Sequence, residues 1–148
     1  MSSERMLRAL VAFEVFRTPG RVTRALVNSN PEPLREAWRH LSIESRSALA
    51  RQVDDLEARG IEAINAGDSD FPKSLGVGGK PIVPTLFCQG DLSLLTAAGA
   101  GMCGSRKVTP LGLKAAKACG EGGSDRGLTV VSGYAKGVDT ATHPAALG

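Results

Sequence analysis

Gly104-Ser105-Arg106-Lys107-Val108-Thr109 and Ser132-Gly133-Tyr134-Ala135-Lys136-Gly137-Val138-Asp139 are two glycine-punctuated polar loops, each placed directly after a short apolar run. Those runs, residues 98–103 and 128–131, read as strands, and between them Leu111, Ala115 and Ala118 recur as on a helix. Strand, loop, helix, strand, loop, helix is the order of a parallel sheet with crossover helices, so the stretch reads as α/β. In open sheets of this kind ligands sit beyond the carboxyl ends of the strands, where small residues let backbone amides approach a phosphate. Two such loops in tandem, each with one or two cations, point to a nucleotide or a phosphate backbone as ligand.

Within the first loop, Thr109 reads as a helix N-cap and Pro110 as the first helical residue. The positive end of that helix, the Ser105 hydroxyl and the Arg106 fork would together hold a phosphate. The same residues also read as a plain tight turn at Gly104 with a solvated or salt-bridged Arg106. Ser132, Gly133, Lys136 and Gly137 favour the anion site, because adjacent parallel strands bring their carboxyl ends together. Asp139 reads first as a cap of the next helix, and His143, one turn on, either faces the crevice or fills the helix flank. Gly99, Gly101 and Gly104 formally spell Gly-x-Gly-x-x-Gly. The first two fall within or before the strand, and the next strand ends in Ser132-Gly133 without an acid for a ribose, which argues against a dinucleotide.

Working outward, residues 3 to about 60 read as a four-helix module. Leu7, Leu10 and Val11 line a first helix, Pro19-Gly20 breaks the run, and a short helix follows from about residue 22. Leu34, Ala37, Trp38 and Leu41 mark a third, and Leu49, Val53 and Leu56 a fourth that enters near Ser42 or Ser45 and stops at Gly60. Residues 61–65 and 85–88 read as strands, separated by a connection rich in Gly, Pro, Asp and Ser. Two parallel strands with one crossover do not cover both faces of a doubly wound sheet, so the chain reads as a fragment or as one that completes its sheet with a partner.

Apolar residues make up 42% of the 148 residues and aromatic residues 4%, so the core must be built from Leu, Val and Ala and base-stacking platforms are scarce. A net charge of +3, from 18 cations and 15 anions, leans only weakly toward an anionic partner. Cys88, Cys103 and Cys119 are odd in number and widely spaced, as in reduced thiols of a cytoplasmic protein rather than a disulfide or zinc framework. The chain has no signal-like opening and no membrane-length apolar run. Neither a nucleophile elbow with its Ser, His and Asp nor a metal-spaced His or Cys cluster is present. Enzymatic catalysis is therefore not supported.

Read in order, Asp70-Phe71-Pro72, Leu86-Phe87 with Gly90-Asp91, Gly104-Ser105-Arg106 with Thr109 and Gly112, Val130-Val131-Ser132-Gly133, Ala135, Lys136-Gly137-Val138-Asp139, then His143 and Ala146-Leu147 resemble the DprA/Smf family of DNA-processing proteins. The resemblance is good from about residue 60 onward and looser before it. It implies a sterile-alpha-motif-like helical domain at 1–60 and the N-terminal half of an extended Rossmann-like domain, with an incomplete parallel sheet, at 61–148. It further implies a protein that binds single-stranded DNA, protects it during natural transformation and loads the RecA recombinase. Family members are not known as enzymes and use no metal or cofactor; a homodimer is among the partners the resemblance implies, with the family's usual recombinase and dimer surfaces in the later half of the Rossmann-like domain. Carried over residue by residue, DNA contact falls to Gly104, Ser105, Arg106 and Thr109, and pocket lining to Ser132, Gly133, Lys136, Gly137, Asp139 and His143.

Three positions depart from the family pattern. Tyr134 replaces an aliphatic residue and reads first as a buried aromatic filling the strand end, with base stacking as the alternative. Pro144 lies where the family runs a helix, which moves the expected helix start to about residue 142. The Pro19-Gly20-Arg21 turn lacks the second glycine of the family's helical hairpin, which argues against DNA contact by the helical module. Two other functions compete: an enzyme that hydrolyses nucleoside monophosphates, of the lysine-decarboxylase-like group, and an interaction module without DNA binding. The former's Pro-Gly-Gly-x-Gly-Thr loop and catalytic Glu are absent from these residues.

Overall fold

A computed structural model describes residues 2–148. The helices of the first part are α1 (Ser2–Phe16), α2 (Pro19–Val27), α3 (Glu32–His40) and α4 (Ile43–Ala58). Pro19 does not lie in a break; it opens α2. A proline costs nothing at the first helical position, where its missing N–H has no intrahelical acceptor. The chain turns just before it, where Arg17 takes a left-handed φ of 58°. The entry to α4 is Ser42, whose Oγ accepts from the Ser45 amide at 3.1 Å, and Gly60, at φ 67°, ends it. Val11, Ala12, Val22, Leu26, Leu34 and Leu49 form one buried cluster, with Trp38 packed against it; Met6, Val53 and Ala63 form a second.

Strand β1 (Ile61–Asn65) packs on α1 and α4 and pairs antiparallel with β4 (Thr85–Gln89), Ala63 opposite Phe87. Between them lie a 3-10 turn at Lys73–Leu75 and a small hairpin, β2 (Gly76–Val77) with β3 (Lys80–Pro81). Fully buried Asn65 ties these parts together. Its Nδ2 donates to the Arg5 carbonyl (3.1 Å), its Oδ1 accepts from Thr85 Oγ1 (3.0 Å), and its backbone N–H donates to Asp68 Oδ2 (2.8 Å). Hydrogen bonds at both ends of the buried amide offset its desolvation and help fix the register. Arg5 also reaches Asp70 at 2.7 Å, so the Asp70-Phe71-Pro72 block is anchored on α1.

The chain divides into two compact units, Met1–Leu92 and Ser93–Gly148. Residues 61–92 thus belong to the same unit as the helices, whereas the composition shift sets a boundary near residue 60. In the second unit β5 (Gly99–Gly101) and β6 (Thr129–Val131) pair in parallel, Ala100 opposite Val130, with α5 (Pro110–Ser124) between them in sequence and α6 (Val138–Leu147) after them. The parallel α/β pattern expected from the loops is present. Gly99 and Gly101 lie inside β5, so the Gly-x-Gly-x-x-Gly spelling is not a strand-to-helix turn. Helices α5 and α6 meet where Gly120 lies against the carbonyl of fully buried Thr142, a contact a Cβ would close off.

Helix α6 corrects the expected late start. It begins at Val138 and carries Pro144 inside it. Pro144 is in the second turn of a helix that ends three residues later, so the lost bond to the carbonyl four residues back is the main local penalty. Thr142 Oγ1 donates to the Val138 carbonyl at 2.8 Å and is itself buried, which holds the turn before the proline.

Candidate functional site

Because β5 and β6 are parallel and in register, both following loops leave the same end of the sheet. The Met102 amide donates to the Val131 carbonyl at 2.7 Å, extending the pairing to the loop mouths. The loops then interlock. The Val138 amide donates to the Ser105 carbonyl at 3.2 Å. Gly137, at φ 107°, lies so close to that carbonyl and to Arg106 that no side chain fits, and a Cβ on Gly104 would stand 2.6 Å from Val138 Cγ2. Two glycines thus permit a contact that bulkier residues forbid.

The polar side chains of the loops are largely committed to shaping them. Ser105 Oγ donates to the Lys107 carbonyl (2.7 Å) and accepts from the Lys107 amide (3.1 Å). Thr109 Oγ1 caps α5 by accepting from Gly112 at 3.1 Å, as its place before Pro110 predicts. Ser132 Oγ accepts from the Tyr134 amide at 3.1 Å. Asp139 is not the cap of α6. Gly137 holds that position, and Asp139, buried, accepts from the Ala135 amide at 3.4 Å. Thr140 does the capping: its Oγ1 accepts from the Gly137 amide at 3.1 Å.

Arg106 and Lys136 are not so committed. Both are exposed, and neither forms an ion pair among the described residues. They line one open recess of about 410 Å³, with Val108, Leu113, Gly137 and Thr140 on its walls. Two like charges on one recess with no counter-charge repel, and an anion between them relieves that repulsion. The wider field has the same sign. In residues 93–148, Arg106, Lys107, Lys114, Lys117, Arg126 and Lys136 stand against only Glu121, Asp125 and Asp139, so the whole excess of cations in the chain lies in this unit.

Of the residues expected at the site, the recess brings together Arg106, Lys136 and Gly137, and Gly104 and Ser105 are held against them through Val138 and Gly137. Thr109, Ser132, Gly133, Asp139 and His143 do not line the recess; they build or brace the loops. His143 lies edge-on to Tyr134, ring centroids 5.3 Å apart at 71°, and its Nε2 is buried with no hydrogen-bond partner. Tyr134 is not the buried plug expected of it: it is 65% exposed and takes a left-handed φ of 52°. Thr140 was missed as a site residue. Its signal was present in the sequence as a hydroxyl three residues after a glycine N-cap. Among the described residues, no group of three or more His, Cys, Asp or Glu could hold a metal ion, and no helix is long and apolar enough to cross a membrane.

The recess and its loops fall within a region shared with known proteins. The family model described as DNA recombination-mediator protein A matches residues 62–148. Over 101 residues the chain is 42% identical to the DNA processing protein DprA of Streptococcus pneumoniae, which covers 65% of this chain and 35% of that protein. The crystal structure of DNA processing protein A (DprA) from Streptococcus pneumoniae is similar at a TM-score of 0.55 and 26% identity, over 98% of this chain and 49% of that one. The chain therefore spans about a third of the length of the first and about half that of the second. With more than half of its residues matched, the chain belongs to the DNA recombination-mediator protein A family.

Proposed function

We propose that this protein binds single-stranded DNA through the recess between Arg106 and Lys136, and that it does so as a non-catalytic DNA-processing protein of the cytoplasm. The observation that carries this reading is the pair of unpaired cations on interlocked glycine loops. Catalytic acid–base groups are not needed for such a role. The loops supply shape and charge, and contacts to phosphate carry affinity without reading sequence. In this reading residues 1–60 are the sterile-alpha-motif-like module and 61–148 the first half of a Rossmann-like DNA-binding domain, a division that follows the family match from residue 62, while residues 61–92 pack in one compact unit with the helices. Protection of incoming strands in natural transformation, loading of RecA and homodimer formation belong to the same proposal. They are the activities that the family resemblance implies.

Fluorescence anisotropy of a labelled oligothymidine, with the wild-type chain and Arg106→Ala at two salt concentrations, tests the proposal after circular dichroism shows both folded. Salt-sensitive binding that weakens about tenfold or more in the variant is expected, since a charge-assisted contact contributes about 1.5–3 kcal/mol. A folded wild type that binds no oligonucleotide would contradict it.

A further inference from the structure

We infer that Tyr134 is a stacking platform for a nucleobase of the bound strand. This rests on the reading of the loops as a single-stranded DNA site and adds a contact to the base where that reading has contacts only to phosphate. Tyr134 is the one Phe, Tyr or Trp in residues 93–148. A large aromatic is ordinarily buried for its apolar area, yet this one is 65% exposed. Its backbone is left-handed at φ 52°, a conformation unfavourable for any residue with a Cβ, and the Ser132 hydroxyl holds its amide there at 3.1 Å. Strained, over-determined backbone of this kind concentrates at ligand clamps.

The ring is also braced. His143 meets it edge-on at 5.3 Å while leaving most of it open to solvent, and the imidazole does so with Nε2 lacking any hydrogen-bond partner. The contact is therefore aromatic packing and not a polar anchor. A ring held by one aromatic contact and 65% exposed loses little freedom when a flat base lies on it. Lys136, two residues on, faces the recess with Arg106. Single strands are held by cations on the backbone together with aromatic rings under the bases, and one loop supplies both Lys136 and Tyr134.

The test compares wild type, Tyr134→Phe, Tyr134→Leu and Tyr134→Gly by anisotropy, each with labelled oligothymidine and with an abasic oligomer of equal length and charge. Glycine suits the left-handed backbone and keeps the comparison usable should the leucine variant unfold. Expected is roughly a tenfold loss of oligothymidine affinity for Leu and Gly, little change for Phe, and unchanged abasic binding in all folded variants. Equal losses on both oligomers, or none on oligothymidine, would overturn the stacking role. Arg106→Ala separates the two readings. If wild type binds both oligomers alike and loses both with that substitution, the DNA site stands and stacking falls. If wild type binds neither, both fall.

Discussion

The amide of Val138 donates to the carbonyl of Ser105 at 3.2 Å, and this bond joins the first residue of α6 to the loop that presents Arg106. It sets Lys136 and Arg106 on one recess. Its geometry depends on Gly137, whose missing side chain leaves room for Ser105 and Arg106. The cations themselves are ordinary surface residues in composition. What distinguishes them is that loops from neighbouring parallel strands hold them together without a counter-charge.

Gly137→Ala is expected to destabilise the protein by about 3 kcal/mol, because it combines a left-handed φ with a collision against the Ser105 carbonyl. Gly127→Ala, with φ 68° but open space around it, is expected to cost about 1 kcal/mol. Chemical denaturation of both variants gives the comparison, and equal losses would contradict the interlocked loops.

Helix α5 offers a pair of glycines with opposite expected outcomes. Alanine raises helix propensity by about 1 kcal/mol over glycine. At Gly122 only the end of the flexible Arg126 side chain comes near, at 3.2 Å, so Gly122→Ala should stabilise by under about 1 kcal/mol. At Gly120 the new Cβ would run into the Thr142 backbone, and overpacking of about 1–3 kcal/mol outweighs the propensity gain. Thermal melts should therefore move in opposite directions.

Much of this unit was legible beforehand for reasons tied to single residues. Thr109 before Pro110 marks a helix start by local chemistry alone, and the glycine loops after two apolar runs mark a parallel sheet. Pro19 and Pro144 misled because a proline's penalty depends on its position within a helix, which is settled by the neighbouring turns. Tyr134 misled because no residue pattern signals its left-handed backbone or its exposure. The antiparallel pairing of β1 with β4 was not anticipated. Its register depends on Asn65 meeting Arg5, Asp68 and Thr85, partners up to 60 residues away.

Arg5 hydrogen-bonds Asp70 and thereby holds its carboxyl below the ordinary aspartate range. A depressed carboxylate contributes stability above its unfolded-state value and loses it as pH falls through the folded-state value. Stability should therefore decline below the ordinary aspartate range, and Asp70→Asn should remove that part of the decline. With side chains 34% and 46% exposed, the effect at neutral pH should stay under about 1 kcal/mol. Urea denaturation at acidic and neutral pH measures it. A larger loss for Asp70→Asn at acidic than at neutral pH would contradict the assignment.

The central claim is that Arg106 and Lys136 each neutralise a phosphate of one bound strand. The most direct measurement is the slope of log affinity against log salt for oligothymidine, in wild type, Arg106→Ala, Lys136→Ala and the double variant. Each lost phosphate contact should flatten the slope by about 0.7, and the double variant by about 1.4. A slope that all three variants share with the wild type would show that the strand, if bound, lies elsewhere.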